Sequence, residues 1–141
     1  PLSVFQIKKK YEALEKEIDD DKNLFHFRIR TLDGDRLIGF GELRGISWPN
    51  GCGAIRLGIG SPEDFRKGYG SDALSLLLRY AFSEINLYRL TANIPAYTLP
   101  ALALKARAGF TEEVRRREAL ARDGQRWDDC LLGLLADEWK Q

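Results

Sequence analysis

Apolar residues recur with two periods along the chain, and each change of period marks a predicted element. Between residues 3 and 18 they fall at helical spacing among lysines and glutamates, which predicts an amphipathic helix. Residues 24–31 instead alternate large apolar side chains with His26 and arginines, the pattern of a half-buried strand. We therefore expect His26 to point away from the core. No catalytic role is predicted for it, because no residue near it in sequence would orient the imidazole.

Turn residues divide the next segment into two more strands. Asp33-Gly34 predicts a hairpin turn into a strand over residues 36–46, and Trp-Pro-Asn-Gly at 48–51 predicts a second turn. An apolar run over residues 54–60 completes three antiparallel strands. A helix is expected from about Gly70, with one apolar face formed by Leu74, Leu77, Leu78, Ala81 and Ile85.

The rest of the chain predicts a strand over residues 88–94, a helix and a last hairpin. Pro100 can open the helix and Gly109 can close it. The hairpin strands are expected over residues 113–121 and 127–135, joined at Asp123-Gly124. This order of elements, without repeats or linkers, predicts an α/β (α+β) fold in a single domain over residues 1–141.

Composition narrows the possible functions. The 22 basic and 21 acidic residues give a net charge of +1, so we expect no binding to nucleic acid or to an anionic membrane. No apolar run is long enough to span a bilayer, and no signal-peptide pattern is present. Cys52 and Cys130 are far apart in sequence and predict reduced thiols in a cytoplasmic protein. With one histidine besides them, we expect no metal site.

The loop between the third strand and its helix carries the strongest chemical signal. Gly68 and Gly70 lie where a strand is expected to pass into a helix, next to Arg66 and Lys67. The first N–H groups of a helix have no partner within it and attract anions, and glycines allow a phosphate to approach the backbone. The spacing fits neither of the two common glycine-rich phosphate motifs. Locally, a phosphate site and a structural turn both remain open.

Three segments of the chain, in order, resemble the GNAT superfamily of acyl-CoA N-acyltransferases, in particular the branch of ribosomal-protein N-terminal and spermidine acetyltransferases. The run Arg-Lys-Gly-Tyr-Gly-Ser-Asp-Ala at 66–73 is similar to the second half of the acyl-CoA pyrophosphate motif. Ala-Arg-Ala-Gly-Phe at 106–110 is similar to the end of the helix beside the pantetheine arm. The closing hairpin is similar at Arg117-Glu118-Ala119, Asp123-Gly124, Asp128-Asp129 and 134–139.

The resemblance implies a single mixed, mostly antiparallel central sheet with helices on both faces. It also implies transfer of an acetyl group from acetyl-CoA, as co-substrate, directly to a primary amine on a small molecule or a protein N-terminus. Residues Leu57, Gly58 and Ile59 would bind the pantetheine arm and supply an oxyanion donor. The pyrophosphate would be held by Phe65, Arg66, Lys67, Gly68, Tyr69, Gly70 and Ser71.

Several positions depart from the family pattern. Phe65 replaces a frequent Gln or Arg, and Arg56 replaces the acidic residue that often acts as general base. Glu42 is the remaining acidic candidate, although a strand glutamate more often faces solvent. Thr98 replaces a frequent Asn; it could bind the pantetheine, cap the helix near Pro100, or do both.

Lys105 replaces the tyrosine credited with protonating the CoA thiolate. It could act as the acid if the groove lowers its pKa. We favour instead an exposed helix lysine or a lysine paired with a CoA phosphate. The run Arg115-Arg116-Arg117 is expected to be a solvated strand face.

The departures leave two functions open: an N-acetyltransferase, which we favour, and a degenerate domain that binds acyl-CoA or a partner without efficient catalysis. Compared with the family, the first strand and helix are not found in this sequence. The strand at 24–31 is therefore expected at an open sheet edge, covered by a second copy in a homodimer or by another piece of the same protein.

Overall fold

The computed structural model describes residues 22–60, 62–64 and 67–140. Three antiparallel strands come first: β1 (Phe25–Arg30), β2 (Leu37–Ser47) and β3 (Cys52–Ile59). They confirm the predicted meander and both predicted turns. The predicted helix at 3–18 lies outside the described residues.

Two helices alternate with the remaining strands. Helix α1 (Tyr69–Arg79) continues through a π-helical turn (Tyr80–Glu84) into β4 (Arg89–Pro95). Helix α2 (Leu99–Arg107) leads to the closing hairpin of β5 (Thr111–Arg122) and β6 (Gln125–Leu135). Within the described residues, six strands form one sheet in the order β1-β2-β3-β4-β6-β5, in which only β3 and β4 pair in parallel. The predicted mixed, mostly antiparallel sheet is confirmed.

The core lies on one face of this sheet, which we call the helix face. Alternate strand residues from β2, β3, β4 and β6 form one buried cluster with the apolar sides of both helices: Leu43, Ile55, Leu90, Cys130, Leu134, Leu74 and Leu78 belong to it, with Leu104 packed against it. Gly41 lets α1 approach β2 closely, since a Cβ there would lie 2.6 Å from a Leu77 methyl carbon. Both described helices pack on this face. Helices were predicted on both faces; on the opposite face, which we call the open face, no helix lies among the described residues.

A narrow seam joins the two halves of the sheet. Strands β3 and β4 pair only at Cys52–Arg89, Gly53–Leu90 and Ala54–Thr91, although both strands continue beyond. Past Ala54 and Thr91 they separate, and a gap opens in the middle of the sheet toward the loop before α1.

Candidate active site

Backbone N–H groups of β3 point into the gap. At the start of β3, the carbonyl of Gly51 accepts a hydrogen bond from the N–H of Arg89; at its end, the N–H of Gly60 donates to Ile38 of β2. Backbone groups alternate in direction along a strand, so both contacts orient the N–H groups of Leu57 and Ile59 toward β4. β4 no longer pairs there. Of the predicted pantetheine ligands, Leu57 and Ile59 therefore present donors to the gap, while Gly58 presents its backbone to β2.

The N-terminus of α1 closes one end of the gap. Gly68 precedes the helix with φ of 84°, a left-handed conformation that favours glycine, and no side chain caps the helix. A Cβ on Gly68 would meet nothing within 4 Å. Lys67 and Ser71 are exposed beside it. Phe65 and Arg66, predicted in the same loop, lie outside the described residues.

An ion pair fixes the start of this loop. Asp64 ends a 3₁₀ turn (Pro62–Asp64), and its carboxylate accepts two hydrogen bonds from the Arg36 guanidinium, at 3.0 and 2.8 Å. Asp64 is almost fully buried, and the bonds from Arg36 lower the pKa of its carboxyl group. This pair ties the loop to the β1–β2 hairpin. No local sequence pattern indicates this pair, because the two residues are 28 positions apart.

Four polar residues are buried in the part of the chain that the structure describes, and they divide into two kinds. Thr31 donates to the Asp33 carbonyl, and Asp64 is paired with Arg36. Lys105 and Asp129 have no hydrogen-bond or ion-pair partner among the described residues. No wholly inaccessible side-chain nitrogen or oxygen of the described residues lacks a partner, so the polar atoms of Lys105 and Asp129 reach accessible space although both residues are nearly buried. The second kind therefore marks a candidate functional site.

Lys105 is 4% exposed on α2, and burial lowers its pKa from 10.5 to about 8. Its neighbour Leu104 lies 3.5 Å from the Cβ position of Gly70, so this part of α2 adjoins the α1 N-terminus. The expectation of an exposed helix lysine was wrong. The condition stated for an acid, a lowered pKa, is met.

Glu42 is half-buried on the open face and is bonded to a histidine. One carboxylate oxygen lies 3.1 Å from Nδ1 of His26, its cross-strand neighbour on β1, and the other lies 3.5 Å from Arg44. His26 points away from the core as predicted. No residue near it in sequence orients its imidazole, but strand pairing brings Glu42 beside it from 16 residues away.

Thr98 and the arginine run, also named from the sequence, lie in ordinary structural positions. Thr98 lies at the N-cap of α2, where its carbonyl accepts the Leu102 N–H, but its side chain makes no capping bond. The arginine run is exposed as expected, and Arg115 is paired with Glu112 and Asp128.

The sequence pattern indicates Asp129 only as part of the closing hairpin. It is 8% exposed on β6, between Cys130 of the core and Asp128. The alternation of Cys130, Leu132 and Leu134 would have placed it away from the core. Its burial could not be predicted, because that depends on β4 and β5 on either side.

A family model described as the acetyltransferase (GNAT) domain matches residues 1–111. The chain belongs to this family and is an acetyltransferase, which confirms the predicted superfamily. YnaD of Bacillus subtilis (strain 168), an uncharacterized N-acetyltransferase, is 27% identical over 125 residues, 83% of this chain and 68% of YnaD. YjcK of the same strain, a probable N-acetyltransferase, is 29% identical over 138 residues, 95% of this chain and 74% of YjcK.

Solved structures share the fold. The spermidine N-acetyltransferase SpeG of Vibrio cholerae, determined in complex with CoA and spermine, superposes with a TM-score of 0.84 at 23% identity, covering 98% of this chain and 79% of SpeG. These neighbours belong to the kind of acetyltransferase that the resemblance indicated.

The described part of the chain contains neither a metal-binding cluster nor a membrane-spanning helix. Its His, Cys, Asp and Glu side chains form no group of three or more that could hold a metal ion. None of its helices has the length and apolar character needed to cross a membrane.

Proposed function

We propose that the protein transfers the acetyl group of acetyl-CoA directly to a primary amine. The observation that carries this proposal is the gap between β3 and β4, with unpaired N–H groups on one wall and an uncapped helix N-terminus at its end. A thin, extended chain ending in a pyrophosphate matches that shape and polarity. The matched family supports acetyl-CoA as the co-substrate.

Each part of acetyl-CoA has a place in this arrangement. The pyrophosphate lies against the α1 N-terminus at Gly68, Gly70 and Ser71, where helix N–H groups and Lys67 supply positive charge. The pantetheine arm lies along β3. The N–H groups of Leu57 and Ile59 bind the arm and the oxyanion that develops on the thioester carbonyl. Gly58 contributes by leaving the wall without a side chain.

Lys105 is the proton donor in this proposal. As the amine nitrogen bonds to the thioester carbon, the C–S bond breaks and the departing thiolate takes a proton from the Lys105 ammonium. With a pKa of about 8, Lys105 is still mostly protonated at neutral pH and gives up its proton more readily than a solvated lysine. A role in pairing with a CoA phosphate is less consistent with its burial.

The proton that the amine loses is assigned to Glu42. Glu42 lies opposite Arg56 of β3, one strand from the gap, on the open face. Its bond to His26 holds the carboxylate in place and gives the proton a second acceptor. The distance of one strand requires the proton to pass through solvent.

The assay that tests the function measures release of the CoA thiol with acetyl-CoA and a panel of amines: spermine, butylamine and a short peptide with a free N-terminus. We expect turnover with at least one amine, and calorimetry should show CoA binding. Saturable CoA binding without turnover on a wide panel would favour the degenerate domain instead, an alternative that the named N-acetyltransferase relatives do not favour.

The proposed assembly is a homodimer through the edge strand β1. Beside this strand lies a cavity of about 590 Å³, lined by apolar residues of β1 and α1, by the exposed Leu32 and by charged residues that include Arg30 and Asp72. An open strand edge and an apolar surface together favour pairing with another strand. Both cysteines are free, which fits a cytoplasmic protein.

A further inference from the structure

Asp129 is a deeply placed carboxylate that the chemistry above does not use. No side-chain nitrogen or oxygen in the described residues is both wholly inaccessible and without a partner. Because Asp129 has no partner, its carboxylate oxygens must therefore reach accessible space although the residue is only 8% exposed. The carboxylate therefore has a small opening to solvent.

Strand alternation places this opening on the open face. Cys130 belongs to the core cluster on the helix face, so the flanking positions on β6, Asp129 among them, face the other way. Lys105 lies on the helix face. The two buried groups without partners are thus on opposite sides of the sheet.

Register places Asp129 beside the gap. It pairs with Pro95, the last residue of β4, where β4 has already separated from β3. Continuing the β3–β4 register past its last pair, Ala54–Thr91, would set Gly58 opposite Pro95. A Cβ on Gly58 would meet no atom of the described residues within 4 Å, so Gly58 leaves room on the wall of β3.

The surroundings of Asp129 suit a cation on an alkyl chain. Trp127, two residues away on β6, faces the same way, and its ring packs edge-on against Tyr97 at 5.8 Å. Arg116 is the cross-strand neighbour on β5 but forms no ion pair with Asp129 among the described contacts. A carboxylate beside an indole ring binds an ammonium group through charge and its methylene groups through apolar contact.

We propose that Asp129 binds and orients the ammonium group of the acceptor on the open face. This inference rests on the proposed function, and it names the substrate class: a primary alkylamine that arrives as a cation. The acceptor reaches the thioester from the open face, while Lys105 serves the leaving thiolate from the helix face.

The test replaces Asp129 by asparagine, which keeps the size and removes the charge. Its matched control is Asp123→Asn, the same change at the exposed hairpin turn, where Asp123 has φ of 54° and asparagine is well tolerated. We expect D129N to raise KM for the best amine of the panel at least about tenfold, with acetyl-CoA affinity within about twofold of wild type. D123N should change neither.

A binding measurement separates this inference from the proposed function. Calorimetric titration of the CoA-saturated protein with that amine, or with spermine if no amine turns over, needs no catalysis. We expect D129N to weaken amine binding at least about tenfold. Failure of turnover together with Asp129-dependent amine binding would overturn the proposed function alone. Unchanged amine binding and KM in folded, CoA-binding D129N would overturn the inference alone.

Wild-type protein provides a second readout should D129N not fold. In protein labelled with ¹³C-aspartate, the amine should shift the Asp129 carboxyl signal and leave that of Asp123 in place. An Asp129 signal that stays unchanged at saturating amine would also overturn the inference.

Discussion

Asp64, just after β3, and Lys105, on the helix after β4, are both almost fully buried, but only Asp64 has a partner. The two hydrogen bonds from the Arg36 guanidinium replace the bonds to water that the Asp64 carboxylate loses on burial, and the pair anchors a loop. Nothing among the described residues does this for Lys105, and the pKa of its amine is lowered instead. The charge of Asp64 therefore contributes to the structure, whereas the charge of Lys105 lowers the stability of the fold.

The largest expected effect comes from Lys105→Met, which keeps the length of the side chain. Turnover should fall about a hundredfold, the usual contribution of a general acid, while acetyl-CoA affinity changes little. Wild-type activity should also decrease as the pH rises through about 8, when Lys105 loses its proton. Steady-state kinetics across pH and calorimetry check both.

The same variant should be more stable than wild type. The folded-state pKa lies below that of the unfolded chain, so the unfolded state binds more protons between pH 8 and 10.5, and wild-type stability rises with pH over that window. At neutral pH, K105M removes this penalty and should add on the order of 2–3 kcal/mol to the free energy of unfolding in urea. A loss of stability would contradict the view that Lys105 is kept for function.

Arg36→Met should act in the opposite direction. It removes the partner of the Asp64 carboxylate, so the free energy of unfolding should fall, and by less than for a fully buried pair because Arg36 is half-exposed. Arg30→Met, which removes an exposed arginine from the same hairpin, is the control. Equal unfolding free energies for the two variants would show that the pair does not anchor the loop.

The direction of the Asp64 pKa shift determines how the stability contributed by this pair depends on pH. The folded-state pKa of Asp64 is lowered below its ordinary value of 3.8, so its stabilising contribution is complete above that pH and is lost as the pH falls. In R36M, the free energy of unfolding should therefore fall less steeply as the pH is lowered than it does in the wild type. Urea titrations between pH 5 and pH 3 compare the two proteins.

Much of the fold could be predicted from the sequence, because apolar periods and turn residues are local signals. The two strands around Asp33-Gly34 and the helix between Pro100 and Gly109 were placed within a residue or two. The site was harder to predict, because pairing decides it. His26 acquired Glu42 from another strand, and the burial of Lys105 and Asp129 depends on elements distant in sequence.

A smaller effect is expected at the proposed phosphate site. Gly68→Asp should lower CoA affinity at least about tenfold, or about 1.4 kcal/mol, by placing a negative charge at the α1 N-terminus. Gly68→Ala is the control, because it carries the same left-handed strain, φ of 84°, without the charge. Calorimetry giving equal affinities for the two variants would mean that strain, not phosphate repulsion, accounts for the loss.

The smallest effect on the folded chain itself is expected at the sheet edge. Leu32→Asp should disrupt the proposed dimer with little change in melting temperature, because Leu32 is exposed beside the β1 cavity. Leu99→Asp, at an exposed leucine on α2, is the control. Sedimentation equilibrium checks both, and a wild-type monomer at high concentration would contradict the assembly.

The three-pair seam between β3 and β4 also bears on how the molecule melts. Besides the common core, this short ladder is what joins the two three-stranded halves of the sheet, so an occupant of the gap would act as extra rungs between them. A ligand bound at a hundred times its dissociation constant adds about 2.7 kcal/mol to the free energy of unfolding. The concentration of acetyl-CoA would then determine the stability of the contact between the two halves of the sheet, and the enzyme without ligand would be the form that unfolds most easily.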